Sequence, residues 1–377
     1  MARNRRPLRG LRDSLRGLRQ LVGATIQSAV LHPAQRLRGV GAHGAAIQTG
    51  PDRTVLLFFE DFESDMWVRG DRHLRRFARR AYHGITEGRR VTGFESAFHL
   101  LRRALEGAGC RVVVNNYALA ARNPRHPVGL CGYPHILRNW TLPNPIVLGP
   151  GFFDHPAQDS ALMEDPRIRS YLVPCNWMFD LFAPVYRRCD IWFGGMDVSA
   201  LPDFRDAAKS IDVLVYEKIL WDREATEAAV VQPVLAELRR KGLTVEILRY
   251  GSYDQSAYLS LLERSRSMVY LCEHETQGLA CQQAMACNVP VLAWDQGLWL
   301  DPIRNRFTDR PVRASSVPYF SASCGDRFTG SEDFAAALER FFAHLGQYEP
   351  RQFVMDHLSL AQSARRYLEV YTAAAVR

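Results

Sequence analysis

One stretch of the chain combines residue types that could bind a phosphate and a polyhydroxyl group. It reads CEHETQGLACQQAMACNVPVLAWD and runs from residue 272 to 295. Its pattern predicts a strand end, a short polar loop with Gly278, the start of a helix, and a second strand after Pro290. Such a loop presents unpaired backbone N–H groups and the positive end of a helix dipole, which suits a phosphate. Glu275 could accept hydrogen bonds from two hydroxyl groups. An ordinary strand-to-helix corner is the alternative interpretation.

The composition limits the class of protein in which this loop can lie. The 377 residues are 47% hydrophobic and 23% charged, which is typical of two globular domains or one large one. No uncharged apolar run approaches the roughly 18 residues that a transmembrane helix needs. The eight cysteines form no CxxC pair, which favours buried, reduced thiols over disulfides or a zinc site.

The net charge of +8 is concentrated at the start of the chain, where residues 1–40 contain nine Arg and one acid. The rest is neutral, which argues against a nucleic-acid-binding body. Leu and Arg at helical spacing from Leu8 to Ile26 predict a basic amphipathic helix. We consider three interpretations, namely binding to an anionic membrane, an organellar transit peptide and a solvated extension. Residues 66–90 hold eight more Arg and read as a basic insertion.

Short apolar runs alternate with helical patterns along the remaining chain, which predicts parallel sheets with helices on both faces. Neither series has GxGxxG after its first strand, and no Walker A sequence occurs, so a dinucleotide dehydrogenase is disfavoured. The first series of predicted strands is 54–60, 111–115, 146–148, 171–173 and 190–193. The second series is 211–216, 243–248, 268–272 and 289–294, with helices at 224–241, 254–266 and 277–287 between them.

The 272–295 stretch resembles the donor-site signature of retaining glycosyltransferases of the group 1 type (family 4-like), which have the GT-B fold. In that family a Glu begins a Gly-Leu loop, and a second Glu stands eight positions later, before Ala-Met-Ala and a Val-Pro-Val strand. Glu275, Gly278 and Leu279 match the loop, and residues 284–286 and 289–291 match the two tripeptides. Gln283 occupies the position of the second Glu.

The resemblance extends over most of residues 51–375 and implies a domain organisation. Residues 91–114 resemble the family's N-terminal loop and helix, with Thr92 and Gly93 in place of two glycines. The implied fold is α/β and GT-B-like, with two facing Rossmann-like, doubly wound domains and a C-terminal helix that crosses back. The expected segments are a basic extension (1–50), an acceptor domain (51–197) with the 66–90 insertion, a linker (198–210), a nucleotide-sugar donor domain (211–355) and a C-terminal helix on the first domain (356–377).

The resemblance implies an enzyme that moves a sugar from a nucleotide-sugar donor to a glycan or lipid-linked acceptor, with retention and without a metal or other cofactor. Lys218 would neutralise the donor diphosphate, and Glu275 would orient the sugar. Asp154 and His155 lie in the loop that takes the place of the family's catalytic-side His loop. The implied donor-binding residues are Lys218, Arg223, Glu275, Thr276, Gln277, Gly278, Leu279 and Gln283. The implied acceptor-side residues are Thr92, Gly93 and His135.

Two other functions fit the same resemblance. Gln283 and Thr92 depart from the family pattern, which would suit a binding or scaffold protein that has lost turnover. A nucleotide-sugar epimerase shares the two-domain fold, and fold alone does not separate these functions. No nucleic-acid partner is expected. The expected location is cytoplasmic, and the two basic segments add the hypothesis of peripheral association with an anionic membrane at its inner face.

Overall fold

Two parallel β-sheets, one of six strands and one of five, organise the computed structural model, which describes residues 53–59 and 93–376. The predictions for the N-terminal extension, the basic insertion and Thr92 lie outside these residues. We call the six-stranded sheet with its helices the N-terminal lobe. The five-stranded sheet with its helices is the C-terminal lobe.

The sheet of the N-terminal lobe has the strand order β2-β1-β3-β4-β5-β6, and its neighbouring strands are all parallel. Strand β3 at the centre was not predicted, because VGLCG contains two glycines and no alternating pattern. Gly129 in this strand is required by packing, since a Cβ there would overlap the phenol oxygen of Tyr367. The strands are β1 (Thr54–Phe59), β2 (Arg111–Val114), β3 (Val128–Gly132), β4 (Ile146–Gly151), β5 (Ile168–Val173) and β6 (Cys189–Ile191).

The sheet of the C-terminal lobe has the strand order β11-β10-β9-β7-β8 and is also parallel. Strand β7, the first of this sheet in sequence, lies between β9 and β8, so the carboxyl ends of β7 and β9 are adjacent. Strand β11 was not predicted from the sequence. The strands are β7 (Ile211–Lys218), β8 (Val245–Arg249), β9 (Ser265–Cys272), β10 (Val291–Trp294) and β11 (Gly325–Phe328).

Helices cover both faces of each sheet. The predicted helix 224–241 contains a π-helical turn at Glu227–Val231, and Pro233, which has no N–H to continue the α-helical pattern, follows it after one residue. The helices of the N-terminal lobe are α1 (Gly93–Gly107), α2 (Tyr117–Arg122), α3 (Pro134–Arg138) and α4 (Asn176–Phe182). The later helices are α5 (Arg223–Thr226), α6 (Gln232–Arg240), α7 (Gln255–Arg264), α8 (Leu279–Ala286), α9 (Ser331–Ala343), α10 (Pro350–His357) and α11 (Leu360–Val376).

The C-terminal helix α11 returns to the N-terminal lobe and packs against α1. Its tyrosines Tyr367 and Tyr371 belong to the buried cluster on one face of the first sheet. The Tyr371 hydroxyl accepts a hydrogen bond from the Leu56 backbone N–H at 2.9 Å and so fixes the helix against the edge of β1. The chain therefore has two facing Rossmann-like sheets and a helix that crosses back, which confirms the predicted GT-B-like fold.

The cores are built from apolar residues of the strands and the helices that flank them. Separate buried clusters lie on the two faces of each sheet. All eight cysteines are free thiols, seven of them buried and Cys189 half-buried. Within the described residues, no helix is long and apolar enough to cross a membrane.

Candidate functional site

A cleft of about 490 Å³ lies between the two lobes, beside the carboxyl ends of their strands. This is the edge at which ligands bind in open α/β sheets. The N-terminal lobe lines the cleft with Gly93 at the start of α1, with Pro150 and Gly151 at the end of β4, and with Asp154. The C-terminal lobe contributes Lys218, Tyr250, Glu275, Thr276, Gln277, Gly278, Leu279 and Gln283.

At the floor of the cleft, the side chains of Lys218 and Glu275 form an ion pair. They come together because Lys218, the last residue of β7, is in register with Cys272 at the end of the neighbouring strand β9. Their side chains are only 16% and 15% exposed. The Tyr270 hydroxyl donates a second hydrogen bond to the Glu275 carboxylate at 3.1 Å. The ring of Tyr250 lies 4.6 Å from the Lys218 Nζ atom.

The charge state of Lys218 is set by two opposing effects. Burial disfavours the ammonium form, but the neighbouring Glu275 carboxylate outweighs burial, so the pKa of Lys218 lies above its ordinary value. Lys218 is therefore a cation throughout the physiological pH range. A cation held at this depth in a cleft can stabilise negative charge far better than one in open water.

The loop after β9 is held in place from three directions. The Glu275 backbone N–H donates to the Ser315 carbonyl at 2.9 Å. The Glu275 carbonyl accepts a hydrogen bond from the Trp177 indole Nε1 at 2.8 Å, and the Gln277 side chain donates to the Gly194 carbonyl. Gly278 then adopts the left-handed conformation, with φ of +73°, and helix α8 begins at Leu279. The first turn of α8 leaves backbone N–H groups without intrahelical partners beside the cleft.

Two buried carboxylates next to this pair stabilise the strand ends. Glu273 accepts hydrogen bonds from the backbone N–H groups of Leu220 (2.9 Å) and Trp221 (2.8 Å) and thereby fixes the loop that follows Lys218. Burial raises the pKa of Glu273, although these two N–H groups act in the opposite direction. Glu217 is 1% exposed at its side chain and pairs with arginines on the opposite side of β7. Neither glutamate was predicted from the sequence.

Arg223 is one of the arginines that pair with Glu217, and its guanidinium also donates to the Ile219 carbonyl at 3.1 Å. Of the two implied donor-binding residues Lys218 and Arg223, Lys218 lines the cleft and Arg223 does not. Arg249 also reaches Glu217, at 3.0 Å.

The polar groups predicted for the N-terminal lobe are placed in different surroundings. Asp154 lines the cleft and pairs with Arg304 of the C-terminal lobe at 2.9 Å. The His155 side chain is turned away, accepts a hydrogen bond from the Ala157 N–H at 3.1 Å, and stacks on Phe307 with 5.2 Å between ring centroids. Burial lowers the pKa of His155. His135 stacks on Tyr133 outside the cleft lining.

Several residues that line or support the cleft were not predicted. Tyr253 lines it and shares a hydrogen bond of 2.7 Å with the Tyr216 hydroxyl, and Tyr250 stands beside Lys218. The position of Tyr250 directly after β8 was a usable signal, because the carboxyl ends of neighbouring parallel strands meet at one edge. Trp177, 98 residues from Glu275, carried no such signal.

No protein-family model matches the sequence, and no curated protein matches it. Solved structures do match. AviGT4, a glycosyltransferase involved in avilamycin A biosynthesis, superposes with a TM-score of 0.50 at 12% identity, over 86% of this chain and 98% of AviGT4. Sucrose-phosphate synthase from Thermosynechococcus elongatus gives a TM-score of 0.48 at 11% identity, over 85% of this chain and 98% of that enzyme.

A third structure, the pneumococcal O-GlcNAc transferase GtfA in complex with UDP and GlcNAc, gives a TM-score of 0.44 at 9% identity. The match covers 67% of this chain and 57% of GtfA. Of these three, AviGT4 carries the comparison, and at that level of identity the likeness establishes the fold. The resemblance expected from the sequence is thus confirmed at the level of the fold, and the chain has the GT-B fold of glycosyltransferases.

Proposed function

We propose that this chain transfers a sugar from a nucleotide-sugar donor to an acceptor hydroxyl in the cleft between its lobes. The observation that carries the proposal is the largely buried Lys218–Glu275 pair at the floor of that cleft. Glu275 lies in the short loop that leads into helix α8. At one strand edge, the cation and the free backbone N–H groups suit the diphosphate of such a donor, and the carboxylate suits the hydroxyl groups of its sugar. The GT-B fold and the match of the 272–295 stretch support the same assignment.

In this proposal the donor diphosphate meets Lys218 and the N–H groups at the start of α8. The bond between the anomeric carbon and the diphosphate oxygen breaks, the acceptor hydroxyl oxygen forms the new bond to that carbon, and the acceptor proton passes to the departing diphosphate oxygen. Negative charge then develops on the diphosphate, where the ammonium group stabilises it. Glu275 accepts hydrogen bonds from sugar hydroxyls, and the resemblance implies retention of the anomeric configuration without a metal.

The nucleoside fits the tyrosine-lined part of the cleft. Tyr250 is 55% exposed and lies next to Lys218, so a base stacked on this ring would leave the diphosphate within reach of the ammonium group. Tyr253 lines the same wall of the cleft. Gln283 also lines the cleft, and its carbonyl oxygen can accept a ribose hydroxyl. The acceptor would then enter against Gly93 and Asp154 on the opposite wall.

The experiment measures release of nucleoside diphosphate from several sugar nucleotides, with and without candidate acceptors, for the parent chain and for Glu275→Ala. Loss of two sugar hydrogen bonds costs about 2 to 3 kcal/mol in the transition state, so turnover should fall by about 30- to 150-fold. The control is Glu339→Ala, which removes the carboxylate of another Lys–Glu pair, at the surface. It should keep parental activity.

Other outcomes separate the alternative functions. A parent chain that interconverts two sugar nucleotides without an acceptor would be an epimerase. A parent chain that binds nucleoside diphosphate but turns over no donor would be a binding protein. Equal turnover by Glu275→Ala and the parent at saturating donor would refute the role proposed for Glu275.

A glycan or lipid-linked acceptor remains our proposal for the second substrate. The basic segments 1–40 and 66–90 lie outside the described residues, and the insertion joins β1 to the start of α1, where the cleft opens. Cosedimentation of the full chain with anionic liposomes, compared with a chain that starts at Gly41, tests the lipid-linked form. If neither form pellets at low salt, a soluble acceptor is the better hypothesis.

A further inference from the structure

A tryptophan of the N-terminal lobe holds the loop that carries Glu275 in the C-terminal lobe. Trp177 lies in the first turn of α4, directly after strand β5, and is 8% exposed. Its indole Nε1 donates a hydrogen bond of 2.8 Å to the Glu275 main-chain carbonyl. The donor and the acceptor of this bond therefore belong to different lobes.

The orientation of this indole is fixed by neighbouring rings. Trp299 lies 5.6 Å from it between ring centroids, and His274, the residue before Glu275, lies 6.4 Å away in an edge-to-face arrangement. Burial lowers the pKa of His274 to about 4, so its ring is neutral near pH 7 and adds no charge to this contact. Removal of the indole N–H alone would leave the apolar packing of the ring in place.

A second bond between the lobes lies two residues further along the same loop. The Gln277 side chain donates to the carbonyl of Gly194. This hydrogen bond joins the loop to the segment that leaves the N-terminal lobe. Glu275 itself is anchored to its own lobe by the hydrogen bond from its N–H to the Ser315 carbonyl. The backbone of Glu275 is thus held at its N–H by one lobe and at its C=O by the other.

We propose that Trp177 is a positioning residue for Glu275, so that the direction of the Glu275 carboxylate depends on the approach of the N-terminal lobe. A change in the backbone dihedral angles of Glu275 would move its carboxylate relative to the Lys218 ammonium group and to a sugar in the cleft. The effect of Trp177 on transfer rests on the proposed function. Its effect on the loop itself does not.

The test uses Trp177→Phe, which keeps an aromatic ring and removes the N–H donor. The matched control is Trp294→Phe. Trp294 is 5% exposed, and its Nε1 donates to the Thr329 carbonyl at 2.9 Å in the core of the C-terminal lobe. Both substitutions remove one buried bond between an indole N–H and a carbonyl, so they match in chemistry and differ in place.

The first measurement is hydrogen exchange of the peptide that spans residues 273–280, which needs no activity. Trp177→Phe should speed exchange in this peptide by at least several-fold, while Trp294→Phe leaves it as in the parent. Unchanged exchange in the Trp177→Phe chain overturns the proposal, whatever the chain catalyses.

The second measurement separates binding from transfer. For Trp177→Phe we expect kcat/KM for the sugar nucleotide to fall about tenfold, while the affinity for nucleoside diphosphate stays within twofold, because Lys218 and the start of α8 are untouched. In a Glu275→Ala background, the same substitution should cause no further loss, since Trp177 acts through Glu275. Losses that multiply in the double variant refute the positioning role. A parent chain that neither binds nor turns over a sugar nucleotide refutes the proposed function instead, and exchange then decides the structural part alone.

Discussion

Substitution of Lys218 by Gln tests both the buried ion pair and the site that we build on it. The change keeps most of the volume of the side chain but removes the charge that compensates Glu275. The side chains of Lys218 and Glu275 are only 16% and 15% exposed, so the Glu275 carboxylate that loses its partner is largely desolvated. Breaking a fully buried pair costs about 3 to 5 kcal/mol. Glu275 retains the Tyr270 hydroxyl and some water, so we expect about 2 to 3 kcal/mol lower stability.

Donor binding should weaken in the same variant. A hydrogen bond to a charged group contributes about 1.5 to 3 kcal/mol, so affinity for nucleoside diphosphate should fall about 10- to 150-fold. The Lys218 pKa is raised in the folded chain, so the pair's contribution is complete below the pKa of the unfolded lysine and declines only as pH rises through the folded value. The effect should therefore be the same at pH 7 and pH 8.5.

The assay combines denaturant unfolding with calorimetric titration of nucleoside diphosphate. Lys241→Gln is the control, because Lys241 pairs with Glu339 at 2.5 Å but the side chains are 31% and 65% exposed. It should change stability little, because the pair is exposed to solvent, and it should leave nucleotide affinity unchanged. Adding Glu275→Gln to Lys218→Gln should restore about 1 to 2 kcal/mol of the lost stability. If Lys218→Gln matches the Lys241→Gln control in both measurements, the pair is not the centre of the site.

Three further predictions concern other parts of the molecule. Gln283→Glu should tighten nucleoside diphosphate binding by about 1 kcal/mol, because a carboxylate accepts ribose hydroxyls more strongly than an amide; weaker binding by calorimetry would give Gln283 another role. The His274 pKa of about 4 lies below the ordinary 6.5, so the unfolded chain binds the extra proton first. Stability should therefore fall by up to about 3 kcal/mol as pH drops from 6.5 to 4. In denaturant titrations His274→Asn should flatten this slope, and an unchanged slope in that variant would contradict the prediction. Gly129→Ala should lower stability by about 1 to 3 kcal/mol, because its methyl group would overlap Tyr367. Gly107→Ala, which has open space around it, should be neutral or stabilising in thermal unfolding, and equal losses in the two variants would contradict the packing argument.

The sequence alone determined the fold class and the position of the loop that carries Glu275. Buried parallel strands are short apolar runs, and helices between them show a different period, so local patterns suffice to predict alternating units. Strand β3 was not predicted, because two of its five residues are glycines, which contribute no side chains to the apolar pattern of a strand. Their purpose is visible only in the folded chain, where Gly129 makes room for Tyr367 from the returning C-terminal helix.

The site also has features that the sequence predicted and features that only the folded chain shows. The family resemblance of the sequence implied that Lys218 and Glu275 belong to one donor site. It could not show that they form an ion pair, because the two residues are 57 positions apart and meet only through the register that pairs Lys218 with Cys272. Arg223 and His155 were predicted as site residues, but neither side chain lines the cleft. Each is close in sequence to a residue that does, while its own side chain bonds to other groups. Side-chain direction depends on neighbours from other elements, here Glu217 for the arginine and the stacked ring of Phe307 for the histidine. Only the tertiary structure decides those contacts.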